Sequence, residues 1–333
     1  MARSEIEHQG RPDGPAREAA GDVRASIVTL PAARPDGVVT LLDFFRLRFP
    51  RIPESVWRTR FASGKVWSSE GAVAEGEPFR PLLELRYRRE VANEPPVRGD
   101  FVIVWSDGDL VVVDKPPHLP VTPGGPWVRN CLLHRLSAAA GNHELAPLHR
   151  LDRLTSGLVL WSSNRRTRGH FARLMHPGAP VEKVYTAVCE VRRSDAPPSA
   201  VLEHHVARSR DEYWRQIVEP ARPPNARCDI ELLDTATALA LYRVRPHTGR
   251  KHQIRVQLAA EGLPILGDPL YGTVPFHDPQ DISTRMWLDA HIIEINGFPG
   301  PDGGPALTAV WTSTRTPADM FTRAIDGARL LPP

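Results

Sequence analysis

His149-Arg150-Leu151-Asp152-Arg153-Leu154-Thr155-Ser156-Gly157-Leu158-Val159-Leu160-Trp161 reads as a tight polar turn that feeds a buried strand. Four consecutive apolar residues after Thr-Ser-Gly give the strand. The turn places a carboxylate, Asp152, between Arg150 and Arg153. Opposite charge nearby favours the ionised form of an acid. Taken alone, an R-x-D turn is more often a structural ion pair than a site, because structural pairs perturb pKa as well.

Outward from this turn, strands dominate. Apolar or alternating runs lie at Phe101–Trp105, Leu110–Asp114, Leu158–Trp161, Val184–Val191, Asp229–Leu233, Ala238–Val244 and His291–Ile295. Helical spacing is confined to the neighbourhoods of Thr167–Met175 and His252–Ala260. Many strands with few helices between them predict an α+β domain with a mixed, mainly antiparallel sheet, not alternating βαβ units. Before it, Leu41, Leu42, Phe44 and Phe45 mark one helix face, and Val56, Trp57 and Phe61 a second. Gly64-Lys65-Val66-Trp67 then turns into a strand, and the unit closes on the Leu83-Leu85-Tyr87 alternation. The predicted organisation is a disordered tail over 1–36, a small α/β module over 37–92, a linker over 93–99, the main domain over 100–315 and a C-terminal tail over 316–333.

Composition bounds the function more weakly. The net charge of +3 does not by itself argue for nucleic acid. Only Lys65, Lys115, Lys183 and Lys251 are lysines; the other 38 of 42 basic residues are arginine, whose planar fork suits phosphate. A GC-rich coding sequence accounts for the same bias together with the 34 prolines. Cys131, Cys189 and Cys228 are far apart, which excludes a zinc ribbon or disulfide framework and fits a reducing compartment. No apolar run reaches the ~18 residues of a membrane span, and Glu5 and Glu7 argue against a leader. A cytoplasmic monomer with no membrane partner is expected.

The second informative block is Arg245-Pro246-His247-Thr248-Gly249-Arg250-Lys251-His252-Gln253-Ile254-Arg255-Val256-Gln257, continuing to Leu266-Gly267-Asp268-Pro269-Leu270-Tyr271-Gly272. Ile254 and Leu258 lie four apart on one helix face, so Arg255 projects beside a buried stripe, where a charge calls for a carboxylate partner. With the first block, with Val112-Val113-Asp114-Lys115-Pro116-Pro117 ahead of it and Lys183-Val184-Tyr185 between, this chain resembles the RluA family of RNA pseudouridine synthases from about Asp100 to Trp311. The family's signatures are H-R-L-D-x-x-T-S-G, then G-R-[ST]-H-Q-[IL]-R-V-H, then G-D-x-x-Y-G. The module over 37–92 resembles, more faintly, the S4-type RNA-binding module.

The resemblance implies one mixed sheet crossed by an RNA-binding cleft. It places Asp152 at the catalytic aspartate, as nucleophile or as base, and Arg255 at the arginine that pairs with it. Tyr185 falls at the tyrosine that stacks on the target uracil and is a candidate to help move a proton from C5, and Arg150 at a position that fills the space left by a flipped base or clamps phosphate. Lys183, on the strand of Tyr185, is a candidate contact to the RNA backbone or to a cleft carboxylate. Arg165, Arg166, Arg168 and Arg173, with no acid from Asn164 to Met175, form a candidate phosphate track. On the small module, Arg46, Arg48, Arg51, Arg58, Arg60 and Lys65 face Glu54 alone; Arg58 and Lys65 are its principal candidates. Thr155 and Ser156 are assigned to local turn hydrogen bonds, and Gly157 to a close backbone approach.

The isomerisation of uridine needs no redox agent, ATP or metal. The histidines show no H-E-x-x-H spacing and no phosphate loop is present, so no cofactor and no metal are expected. Three positions depart from the usual wording: Lys251 for Ser or Thr, Gln257 for His, and Asp289 for His in Leu288-Asp289-Ala290. They are assigned to the cleft rim. The expected partner is structured RNA, ribosomal or transfer. Two rival readings stand beside the enzyme: a non-catalytic RNA-binding or RNA-folding protein that keeps the cleft, and a carbohydrate-active hydrolase, which needs a second acid for which only Asp268 offers itself.

Overall fold

The computed structural model describes residues 25–50, 52–89, 94–97, 99–191, 196–210, 212, 214–272 and 285–329, in two compact units divided after Ala92. The first 24 residues of the expected tail, Arg51 and two linker positions (93 and 98) lie outside the described residues.

The N-terminal unit contains β1 (Ser26–Thr29), α1 (Leu41–Arg48), α2 (Glu54–Ala62), β2 (Val66–Ser68), β3 (Gly71–Ala72) and β4 (Glu84–Tyr87), with a sheet ordered β1-β4-β2-β3. Thr40 and Asp43 cap α1 reciprocally, side chain to backbone N–H in both directions. The apolar faces of both helices meet in an aromatic cluster in which Phe45 lies 4.4 Å from Trp57 and 5.8 Å from Tyr87. The expected tail therefore ends earlier: Ser26–Thr29 pairs antiparallel with β4, which the Arg- and Pro-rich surroundings conceal.

The main unit continues with β5 (Val102–Ser106), β6 (Leu110–Lys115), α3 (Leu132–Ala140), β7 (Ala146–Pro147), β8 (Ser156–Ser162), α4 (Arg168–Ala172), β9 (Val181–Glu190), β10 (Ser199–His204), β11 (Val206–Arg208), β12 (Gln216–Val218), β13 (Ala226–Ala236), β14 (Leu239–Pro246), α5 (Gln253–Ala260), β15 (Leu288–Phe298), β16 (Leu307–Thr312) and α6 (Pro317–Arg329). The sheet runs β10-β13-β14-β9-β15-β8-β6-β5, with β7 on β8 and β16 on β15. All its pairings are antiparallel except β8 with β15, which touch only through Ser156–Asp289 and Gly157–Ala290. At that short junction Gly157 has φ +105, and a Cβ would collide with the Ala290 carbonyl oxygen. The mixed, mainly antiparallel α+β architecture is as expected, and every predicted strand and helix of this unit has its counterpart.

Period-two alternation gives the sheet two cores. Val111, Val113, Val159 and Trp161 pack with α3 and Leu151. Leu110, Val112, Leu158 and Leu160 face the other way, onto Phe171 of α4, Leu174 and Trp311.

Both expected boundary segments of this unit are in fact part of it. In the linker, Glu94 accepts the backbone N–H groups of Arg129 and Asn130 at 2.7 Å, and the Val97 and Gly99 carbonyls accept from Arg135. The expected C-terminal tail is α6, whose Phe321 and Ala324 pack on Val188, Leu239 and Leu241. Thr316 accepts the Asp319 N–H as N-cap and Pro317 takes the first helical position. Phe321→Ala is expected to lower the stability of this unit by about 3–5 kcal/mol, the cost of emptying a buried aromatic site. Urea unfolding followed by intrinsic fluorescence checks it, and an unchanged midpoint would mean that α6 is not docked in solution.

Candidate active site

The turn before β8 is held from several sides. The Leu148 N–H donates to the Leu160 carbonyl, and His149 Nε2 accepts the Leu160 N–H at 3.1 Å. Burial, reinforced by the Lys183 charge, keeps His149 well below the ordinary histidine range, so the ring is neutral and free to accept. Leu151 is buried, and the Thr155 N–H closes the turn on the Asp152 carbonyl at 3.2 Å. From β6, the wholly buried Lys115 donates Nζ to the carbonyls of Pro116 (2.9 Å) and Arg153 (3.2 Å). Burial, with repulsion from Arg315, brings this lysine down to about 7. Asp152 is thereby presented, half-buried, on a turn with little freedom.

Its partner comes from α5, in which Gln253 to Leu258 are all buried. Arg255, 4% exposed, divides its guanidinium between two acids. Nε and Nη2 grip Asp268 at 2.7 and 2.8 Å, and Nη1 donates to Asp152 Oδ2 at 2.9 Å. Asp268 is fully buried and also accepts the backbone N–H groups of Leu270 and Tyr271. Burial disfavours the charged form of Asp152, but the Arg255 charge and hydrogen bond, with Arg150, outweigh it and hold the carboxyl below its usual value. Arg255 is likewise held charged: burial opposes it, and Asp268 and Asp152 prevail. The Tyr271 ring lies 5.2 Å beneath the guanidinium carbon.

Tyr185 lies on β9, opposite Val244 of β14 and Ala290 of β15. Burial, then the Asp152 and Asp289 charges, push its hydroxyl up, so the phenol stays protonated. Asp152, Arg255 and Tyr185 thus converge as one electrostatic group, and Asp268, His252, Tyr271 and Lys115 complete it.

A family model for RNA pseudouridylate synthase matches residues 109–260. An RNA pseudouridine synthase of Synechocystis is 31% identical over 235 residues, which cover 70% of this chain and 79% of that protein. The chain belongs to the RluA family of RNA pseudouridine synthases. A ribosomal large subunit pseudouridine synthase D of Nitrosomonas europaea is 30% identical over 191 residues, 55% of this chain and 54% of that one. Among solved structures, human RNA pseudouridylate synthase domain containing 1 shares the fold at a TM-score of 0.51 and 20% identity, covering 72% of this chain and 99% of that one.

Against the family pattern, several assignments change. Gln257 is not at the rim; it is fully buried and donates to the Leu202 and Ala226 carbonyls, tying α5 to β10 and β13. Asp289 is also buried, accepting from Ser156 at 2.5 Å, from Ser313 at 2.7 Å and from Arg315 at 3.3 Å. Ser156 therefore serves a partner 133 residues away, not its own turn. Only Lys251 is exposed, donating to the Trp214 carbonyl on the β11–β12 hairpin.

The proposed RNA contacts separate. Arg150 is exposed beside Asp152, and its charge helps to hold the carboxylate ionised. Arg153 instead lies 4.5 Å over the Trp127 ring. Lys183 Nζ sits 3.2 Å from Met175 Sδ, not on a cleft carboxylate. The α4 group is anchored on the sheet face opposite Leu151 and α3. There Arg165 and Arg166 are exposed, Arg168 donates to the Glu144 carbonyl and Arg173 to His170, while the Glu144 carboxylate accepts the Arg165 N–H. The track thus has an acid in space that it lacks in sequence. In the N-terminal unit Arg58 is paired with both Glu54 and Glu75, Arg46 with Glu54, and Arg60 is buried against Trp57, so Glu54 is not the lone acid. Lys65 belongs to the loop before β2, where its carbonyl accepts the Arg88 N–H.

Two outcomes follow. Asp268→Asn leaves a buried guanidinium short of one carboxylate and is expected to cost about 3–5 kcal/mol in urea unfolding. An unchanged midpoint would mean that Asp152 alone satisfies Arg255. For Lys115, the ammonium is present in both states below about 7; above it, up to its ordinary value, the unfolded chain holds a proton that the folded chain has lost. Stability from this group therefore rises with pH across that window. Lys115→Met should remove that rise in urea midpoints taken between about pH 6.5 and about pH 9.5.

Proposed function

We propose that this RNA pseudouridine synthase uses the Asp152 carboxylate to isomerise uridines in structured RNA, ribosomal or transfer. The observation that carries the reading is Arg255 shared between Asp268 and Asp152: one carboxylate sealed and bidentate, the other ionised and half-exposed. In the reaction the C1′–N1 bond of the uridine breaks, the base turns, and C5 bonds to C1′; C5 gives up a proton and N1 ends protonated. An ionised, aimed carboxylate serves this whether it adds to the sugar or removes a ribose proton. Tyr185, its phenol kept neutral, suits a stacking platform for the extruded uracil better than a base. Extrusion costs a few kcal/mol, and Arg150 is placed to compensate with phosphate or with the vacated stack.

Ribosomal RNA as substrate is supported by the Nitrosomonas relative, which is named for the large ribosomal subunit. A pure RNA-binding role leaves unexplained why a buried arginine holds a half-buried carboxylate in an anionic state, which repels phosphate. The hydrolase reading needs Asp268 as second acid, and that residue is sealed beneath Arg255.

The test is tritium release from 5-tritiated-uridine total RNA taken from cells lacking the enzyme. The wild type should release label, and Asp152→Asn should release none above background. Release by neither would overturn the proposal in favour of RNA binding alone.

A further inference from the structure

His252 has no part in the scheme above, yet the chain is strained to place it. It precedes α5 at φ +54, a left-handed conformation that a side-chain-bearing residue keeps only where its surroundings over-determine it. Its side chain is 9% exposed. Nδ1 lies 2.9 Å from the Tyr271 hydroxyl, and Nε2 lies 3.7 Å from Asp152 Oδ2.

The tautomer follows from the next link. The Tyr271 oxygen accepts the Gln216 backbone N–H at 2.8 Å, and burial pushes that hydroxyl up to about 12, so it keeps its proton. Burial also brings His252 down to about 4, so the ring is neutral and carries one N–H. If that N–H were on Nδ1, the lone pair of Nε2 would face the Asp152 anion. If the tyrosine donates to Nδ1, the N–H is on Nε2 and points at the anion. The second arrangement pairs Nδ1 with the tyrosine hydroxyl and turns an N–H, not a lone pair, toward the anion, as in a neutral histidine set by the bond to its other nitrogen.

We infer that His252 is a positioning residue: its Nε2–H, fixed by the Gln216–Tyr271 relay, faces the same Oδ2 that Arg255 Nη1 binds, leaving Oδ1 of Asp152 as the oxygen that meets the substrate. The inference rests on the proposed catalytic use of Asp152. At 3.7 Å the contact is longer than a hydrogen bond; such contacts tighten when substrate closes a site.

Single-turnover tritium release from the same total RNA, with enzyme in excess, separates rate from binding. His252→Asn tolerates the left-handed backbone but is too short to reach Asp152; His252→Gln returns an N–H near the position of Nε2. Tyr271→Phe keeps the ring under Arg255 and removes the relay. His252→Asn should lower the maximal rate by about 10- to 100-fold with half-saturation changed by less than about twofold, the pattern of a misaimed group. His252→Gln should recover most of the rate at a matched folded fraction. Tyr271→Phe should fall between, and the double variant His252→Asn/Tyr271→Phe should be no slower than His252→Asn alone. Equal rates for the Asn and Gln variants, a loss confined to half-saturation, or additive losses would each overturn the inference. A silent wild type would instead overturn the synthase proposal.

Discussion

A single buried guanidinium, that of Arg255, fixes the geometry of the site. Its fork has three donor positions in use: two close on Asp268 and one on Asp152. Two carboxylates against one cation leave a surplus negative charge, and solvation decides where it lies. Asp268 has no exposed surface and is satisfied by two backbone N–H groups as well as the arginine. Asp152 keeps 27% of its side-chain surface and only one firm donor. Sealing one acid completely leaves the other, half-buried, as the carboxylate of the trio that is open to solvent. A lone buried pair would give no such asymmetry.

A second polar group holds the sheet beneath this trio. Asp289 on β15 accepts from Ser156 on β8, from Ser313 and from Arg315, and Arg315 also pairs with the buried Asp114 of β6. The Thr314 N–H and hydroxyl complete Asp114 at 2.7 and 2.6 Å. Three strands and the segment leading into α6 are therefore joined by carboxylates, and the Ser156–Asp289 bond falls where β8 and β15 share only two register positions. Placing Asp at 289, where relatives of the pattern carry His, is consistent with Arg315 as its counter-charge. The substitution is structural, and it lies close enough to Lys115 and Tyr185 for its charge to act on both.

Strand positions are legible in the sequence where alternation gives a clean local signal: β6, β8 and β14 appear within two residues of their observed limits, whereas β7, β10, β11, β12 and β16 lie outside the expected strands. β13 is longer than its apolar run, extended at both ends by pairing with β10 and β14 and kinked by a bulge at Leu232–Asp234. Two helices escaped. In α6 the spacing of Met320, Phe321 and Ala324, with Thr316 and Pro317 before it, carried the signal; in α3 Leu132, Leu133 and Leu136 did. Both follow loops rich in turn residues, which mask a short amphipathic stretch. The pairing of Arg255 with Asp152, 103 residues apart, was legible only through a family pattern, since no periodicity connects them. Charge is less legible than alternation. Counting acids along the chain missed Glu75 beside Arg58 and Glu144 beside Arg165, because electrostatics acts through space and these partners come from other elements.

The two kinds of departure from the family wording therefore have different consequences. Gln257 and Asp289 are both buried: the Gln257 Nε2 donates to carbonyls while its Oε1 has no partner among the described residues, and Asp289 is offset by Arg315. Changes of that kind sit in the scaffold, although the Asp289 charge still acts on Lys115 and Tyr185. Lys251 is exposed one residue before His252, bonded to the hairpin that carries Trp214 and Arg215, and it senses Asp152, Arg208 and Arg150 together. A cation there acts on Asp152 through space, which a buried neutral amide does not do. The Asp152–Arg255–Asp268 trio tolerates little change at its centre, because removing Arg255 would leave both carboxylates, one of them fully buried, without their cation.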